Sequence, residues 1–157
     1  ADLSPARLAQ SSTFGADISV RGDTEGDAVK EAVMDITAGQ GADIVIEAVG
    51  KAETIQHALA ITRPRGKIVF FGLPDTSDPI PFSYIDFFMK QLEMYAVVGA
   101  QAEKDLSSFH KALDWIARRE INVSEMVSHR LSLEEIDNAM TLAHERDEDA
   151  LKVTLTF

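Results

Sequence analysis

Cysteine is absent from the chain. No disulfide can form, and no thiolate is available as nucleophile or metal ligand. Basic residues are few: 15 Lys and Arg stand against 26 Asp and Glu, a formal net charge of −11. A surface that negative argues against nucleic acid and anionic lipid as partners. No apolar run reaches the roughly 18 residues of a membrane-crossing helix, so no membrane partner is expected. No signal-peptide pattern opens the sequence, and a cytoplasmic setting is the expectation. The four histidines (His57, His110, His129 and His144) are scattered, and none has a second ligand at metal-binding spacing. There is no H-E-x-x-H, no G-x-S-x-G, no P-loop and no G-x-G-x-x-G. Internal repeats and low-complexity linkers are missing as well.

What is present is a regular alternation of apolar runs and amphipathic stretches over 157 residues, 45% of them apolar. Ser4 and Pro5 mark the N-cap and first turn of an opening helix. "DISV" at 17–20 reads as a short strand. Val29, Ala32, Val33 and Ile36 give one greasy stripe on a helix that Gly39 and Gly41 terminate. Ile44, Val45 and Ile46 run continuously, which predicts a strand buried on both faces of a parallel sheet. A helix with Ile55, Ala58 and Leu59 inward stops at "RPRG". "KIVFFG" at 67–72 is a second buried strand, an aromatic helix spans 84–94, and "YAVVGA" at 95–100 is a third strand. A helix at 104–119 carries Leu106, Phe109, Leu113, Ile116 and Ala117 inward. Ser132 and Glu135 form a capping box ahead of a helix with Leu133, Ile136, Met140 and Ala143 on one face. "LKVTLTF" alternates as a final strand. Strands separated by helices of this length predict right-handed crossovers and a doubly wound α/β sheet, with helices on both faces.

Few residues carry recognisable chemistry. Asp2 precedes the opening helix. In a dinucleotide-binding fold a carboxylate at the end of the second strand accepts the adenosine ribose hydroxyls and repels a 2′-phosphate. Alternatively, Asp2 simply favours the helix N-terminus. Arg7, a turn later, either lies along that ribose or is a solvated arginine. Gly50 and Gly72 follow buried strands, where a missing side chain lets a ligand approach the backbone; ordinary turn glycines would look the same. Glu47 is a carboxylate within an apolar strand, and a structural ion pair is its expected use.

The blocks "DLSPARL…FGAD", "GQGADIVIEAVG", "RPRGKIVFFGLP", "HRLSLEEIDNAM" and "LKVTLTF" together resemble the medium-chain dehydrogenase/reductase superfamily, the zinc alcohol, sorbitol and threonine dehydrogenases and their relatives. They follow in that family's order over the whole chain. The resemblance implies an NAD-dependent oxidoreductase built on a Rossmann fold. It matches Asp2 and Arg7 to the adenosine ribose, and Val49 and Gly50 to the turn beside the adenine half. It matches Phe71, Gly72 and Leu73 to the nicotinamide wall, Val97, Val98 and Gly99 to the carboxamide, and Lys152 to the pyrophosphate. It implies a homodimer through the sixth-strand edge, "YAVVGA".

The same resemblance implies that much is missing: the zinc-bearing catalytic domain, the first Rossmann strand with its glycine-rich turn, and most of the second. Residues 1–125 would be a truncated NAD-binding domain and 126–157 a return segment of the catalytic domain. The expected fold is an incomplete sheet of the family's strands 4, 5 and 6, with "DISV" displaced as an orphaned strand 3. The chain alone is expected to be inactive. Alternatives are a zinc-free NADPH-dependent quinone or enoyl reductase, against which Asp2 speaks, a methyltransferase with a similar strand-2 carboxylate, and a non-enzymatic nucleotide-binding or oligomerising module.

Overall fold

The computed structural model describes residues 1–23, 26–74, 76–145 and 150–157. In chain order the helices and strands are α1 (Pro5–Ser11), α2 (Asp27–Ile36), β1 (Ala42–Glu47), α3 (Ala52–Ile61), β2 (Thr62–Phe70), α4 (Tyr84–Lys90), β3 (Glu93–Ala96), α5 (Ser107–Ala117), β4 (His129–Ser132), α6 (Ile136–Glu145) and β5 (Val153–Thr156). They fall into two compact units. One comprises Val20–Lys104 with Ala1, and the other Asp2–Ser19 with Asp105–Phe157.

The first unit holds a three-stranded parallel sheet of order β1-β2-β3. Its core is Ala58, Leu59, Ile68 and Leu92, with Val45, Phe70, Phe87 and Met94 packed against them. Leu59 and Ile68 are fully buried, each contributing roughly 1.5–3 kcal/mol. Ala58 and Leu59 set α3 on this core, as the sequence predicts, while Ile55 of the same stripe stays half-buried outside it. α3 ends at Thr62, whose hydroxyl donates to the Ala58 carbonyl at 2.6 Å. The Lys90 ammonium closes that end further, donating to the carbonyls of Leu59, Ala60 and Thr62 at 2.7, 2.8 and 3.0 Å.

The strand limits differ from the sequence reading. β2 begins at Thr62, five residues before "KIVFFG", because the "RPRG" turn is looped out within the strand. Ala42 pairs with Thr62 but Ile44 with Lys67. Pro64 has no N–H to give, and Arg65 has a left-handed φ of 60°. The Arg63 guanidinium seals the irregularity onto Asp43 at 2.6 Å. The aromatic helix stops at Lys90, where Gln91 turns left-handed with φ 52°. β3 therefore spans 93–96, and Val97–Gly99 lie beyond it rather than within a strand at 95–100.

Burial corrects the reading of β1. Ile44 and Ile46 are 61% and 67% exposed, so the strand is not covered on both faces. Helices α3 and α4 pack on the Val45–Ile68 side. The register places Ile44, Lys67 and Glu93 in one row of the other face, and Ile46, Val69 and Tyr95 in the next. Polar contacts decorate this open face. Lys67 meets Glu93 at 3.4 Å, and the Tyr95 hydroxyl donates to Glu93 at 2.8 Å. The expected helices on both faces are thus corrected to one covered face in this unit.

The second unit joins β4 and β5 in a two-stranded parallel ladder. Leu131, Ala139 and Leu142 form its core, with Val153 and Leu155 against them. The capping box is present: the Glu135 carboxylate accepts both the N–H and the hydroxyl of Ser132 at 3.0 Å. It leads through a short 3₁₀ turn (Leu133–Glu135) into α6. The buried stripe of α6 is Ala139 and Leu142. Leu133, Ile136 and Met140 are exposed, contrary to expectation. α5 spans Ser107–Ala117 instead of 104–119, with Leu106 as a left-handed residue ahead of it, and Leu106, Phe109, Leu113, Ile116 and Ala117 are all exposed. Periodicity names an apolar stripe; it does not say that anything lies on it. Residues 17–20 join no ladder, so "DISV" is not a strand here.

Candidate functional site

The carboxyl ends of β1, β2 and β3 lie on one side of the parallel sheet, where α/β folds bind ligands. Glu47, the last residue of β1, organises this end. It is 4% exposed, and its side chain meets hydrogen-bond donors instead of a cation. Oε1 accepts the N–H groups of Val49 and Gly50 and the Thr54 hydroxyl, each at 2.8 Å. The Glu47 carbonyl accepts the N–H groups of Phe71 and Gly72 at 2.8 and 3.0 Å. Oε2 is buried with no hydrogen-bond partner among the described residues. The expected ion pair at Glu47 is therefore corrected: backbone amides and a hydroxyl stabilise the carboxylate.

Gly50 and Gly72 are needed for a reason the sequence does not reveal. Gly50 has φ +85°, and a Cβ there would stand 2.4 Å from the Leu73 carbonyl oxygen. A Cβ on Gly72 would stand 2.2 Å from the Gly50 nitrogen and 2.5 Å from that of Val49. The space freed by each glycine is filled by the other turn's backbone. The two turns interlock, and neither glycine is merely a turn former.

Beside them opens a cleft of about 530 Å³ whose wall includes Glu47, Phe71, Leu73, Phe82, Val97 and Val98. Gly72 and Gly99 also line it, whereas Val49 and Gly50 do not and instead back onto Gly72 and Leu73. Phe71, Leu73, Val97 and Val98 are exposed. The Val97 N–H extends the β2–β3 ladder by donating to the Phe70 carbonyl at 2.9 Å. Five amides at this end of the sheet, those of Val49, Gly50, Phe71, Gly72 and Val97, are thus committed to acceptors within the protein. Sequence reasoning missed Phe82 and Thr54, which carry no motif; Thr54 is visible only as the third donor to Glu47.

The remaining candidates lie in the second unit. Asp2 accepts the Ser4 N–H at 2.9 Å, and its other oxygen stands 4.0 Å from the Arg7 guanidinium. Arg7 is half-buried, not freely solvated, and donates to the Ala150 carbonyl at 3.3 Å. Its amide is capped by the Ser4 hydroxyl at 3.4 Å. Lys152 is exposed, and its carbonyl receives the Ser128 and His129 N–H groups. No three His, Cys, Asp or Glu side chains converge to hold a metal among the described residues. A zinc ion does not fit the residues described.

A parallel α/β sheet with a cleft at its carboxyl ends is the architecture of a Rossmann-like fold. The profile of the zinc-binding dehydrogenase family matches residues 1–118, and the chain belongs to that family, within the medium-chain dehydrogenase/reductase superfamily. It is 30% identical over 156 residues to a zinc-type alcohol dehydrogenase-like protein of Haemophilus influenzae, covering 99% of this chain and 43% of that protein. It is 29% identical over 154 residues to the sorbitol dehydrogenase of Bacillus subtilis, covering 97% and 41%. A short chain alcohol dehydrogenase from E. coli CFT073, solved in complex with NADH, shares the fold at 20% identity with a TM-score of 0.82, over 99% of this chain and 43% of that one. The chain thus spans less than half the length of these relatives.

Proposed function

We propose that the chain is the cofactor-binding part of an NAD-dependent, zinc-containing alcohol or polyol dehydrogenase, and that the cleft takes the nicotinamide half of the cofactor. One observation carries this reading: the cleft is walled by apolar side chains, and the Phe71, Gly72 and Val97 amides beside it are already used. A phosphate needs N–H donors. A planar ring with its own amide donors needs apolar walls and acceptors for its N–H groups. Phe71, Leu73, Val97 and Val98 supply the walls. When bound, the dinucleotide would supply the hydride acceptor; these residues would orient the ring and exclude water from it. The NADH held by the E. coli neighbour supports the same cofactor class.

Asp2 and Arg7 are proposed to meet the adenosine ribose, and Lys152 the pyrophosphate. Zinc and the groups that move the alcohol proton are assigned to parts of the relatives that this sequence does not span, so the chain alone is expected to oxidise no alcohol. Residues 1–125 are assigned to the cofactor-binding domain and 126–157 to the catalytic domain, and a homodimer through the β3 edge is part of the same proposal. The test is saturation-transfer NMR on the purified chain with NADH, nicotinamide mononucleotide and ADP-ribose. Transfer to the nicotinamide ring protons, lost on Val98→Asp, is expected. Transfer confined to ADP-ribose would overturn the assignment of the cleft.

The zinc-free NADPH reductase is the second reading, and Arg7, 4.0 Å from Asp2, is the observation in its favour, since an arginine there can accommodate a 2′-phosphate. Calorimetric titration with NADH and NADPH separates the two, because tighter NADPH binding selects the reductase.

A further inference from the structure

Glu47 presents a physical puzzle. A buried carboxylate without a cation is expensive unless hydrogen bonds satisfy it, and here three donors converge on a single oxygen. Two of them are amides of the turn after β1. The same residue's carbonyl holds two amides of the turn after β2. The turns also share the backbone contact between Gly50, Gly72 and Leu73. Glu47 thus fixes the first turn with its side chain and the second with its main chain.

We propose that Glu47 is a positioning residue for the cleft: its side chain locks residues 49–50, and through the glycine contact this holds residues 71–73 in place, so that both turns loosen together. Gly72 and Leu73 line the cleft and Val49 and Gly50 do not, so the carboxylate shapes a ligand wall without touching the ligand. What the wall receives rests on the cofactor reading above; the coupling of the turns does not.

The test is backbone amide hydrogen exchange, residue by residue, on the full chain carrying Glu47→Gln or Glu47→Ala. Every such variant retains the Glu47 carbonyl, so a purely local role would raise exchange at Val49 and Gly50 alone. Coupled turns raise it at Phe71 and Gly72 as well, by about a hundredfold in Glu47→Ala, from the loss of hydrogen bonds to a charged acceptor. Glu47→Gln keeps the geometry with a neutral acceptor, and about a tenfold rise is expected. Leu131 and Leu155 in the β4–β5 ladder serve as controls and should not change. Should Glu47→Ala fail to fold by circular dichroism, the glutamine variant decides alone. Unchanged exchange at Phe71 and Gly72, with faster exchange at Val49 and Gly50, overturns the proposal. A parallel NADH titration separates the two layers. If the wild type binds no NADH, the cofactor reading falls and the exchange data still decide the coupling. If it binds, Glu47→Ala is expected to weaken binding at least tenfold, and unaltered affinity with unaltered exchange sinks the positioning role.

Discussion

Replacing Gly72 with alanine tests the interlocked turns directly. The new methyl carbon would sit 2.2 Å from the Gly50 nitrogen, 2.5 Å from the Val49 nitrogen and 2.6 Å from the Val49 carbonyl carbon. Ordinary contact begins near 3.4 Å, so one turn has to move by about 1 Å, and all three atoms are backbone that cannot rotate aside. Overpacking of this kind costs typically 1–3 kcal/mol. Displacement would also strain the Phe71 and Gly72 bonds to the Glu47 carbonyl, each worth about 1 kcal/mol. A loss of about 3 kcal/mol is expected, read as a fall in the urea midpoint with unchanged slope. The control is Gly39→Ala. That glycine has φ +79° with nothing within 4 Å of an added Cβ, so it carries only the left-handed backbone penalty, about 1 kcal/mol. If Gly72→Ala loses no more than Gly39→Ala, the turns do not interlock as described.

Three further outcomes follow from the same geometry. Lys90→Met should cost about 2 kcal/mol in chemical denaturation, since three carbonyls at the end of α3 lose a charged donor; burial also draws the Lys90 ammonium below its ordinary pKa, which keeps the loss from being larger. Leu59→Ala, at a fully buried core position, should cost about 3–4 kcal/mol by cavity formation, against under 0.5 kcal/mol for the exposed Ile46→Thr. On acidification, three carboxyl groups act in one direction. The Ala28 N–H and neighbouring amides hold Asp23 below its usual value, the Tyr95 hydroxyl and Lys67 do the same for Glu93, and the Ser132 N–H and hydroxyl do so for Glu135. Folded values below unfolded ones mean that this stability is present above about pH 4.5 and is lost as pH falls through the folded values. Glu135→Gln should flatten part of the decline in urea midpoint, and an unchanged profile would refute the capping contribution.

The covered half of the first unit was legible. Ile55, Ala58 and Leu59 recur at helical spacing, and Ile68 and Leu59 meet where those patterns point. The open half was not, because Ile44, Val45 and Ile46 spell a continuous apolar run whichever face is covered. In α5 and α6 the stripes at Leu113 and Met140 are real amphipathic patterns with nothing packed on them. Glu47 stood out as a carboxylate in an apolar strand, but its partners were hidden, because amides have no letter in a sequence. The glycine contact links turns 22 residues apart, and no local pattern encodes it. The resemblance pointed to Val97–Gly99 as a backbone contact for a carboxamide; the structure shows the Val97 N–H already bonded to Phe70, so any such contact falls to other groups of that loop.

The turn from β1 into α3 is a strand–turn–helix junction, the kind of place where dinucleotide folds seat a phosphate on exposed amides. Here the protein's own anion occupies that position. Glu47 Oε1 takes the Val49 and Gly50 amides together with the Thr54 hydroxyl of the first turn of α3. Thr54 also caps the helix by accepting the Lys51 N–H at 3.2 Å. An added phosphate would find these donors spent and a carboxylate beside it, and like charges at such range repel strongly in a poorly solvated site. Evicting the carboxylate would leave it buried and unpaired, a loss of several kcal/mol. Anion recognition at this junction is therefore opposed by the same residue that rigidifies it, and the adjoining cleft presents apolar walls and the Glu47 carboxylate in place of anion donors.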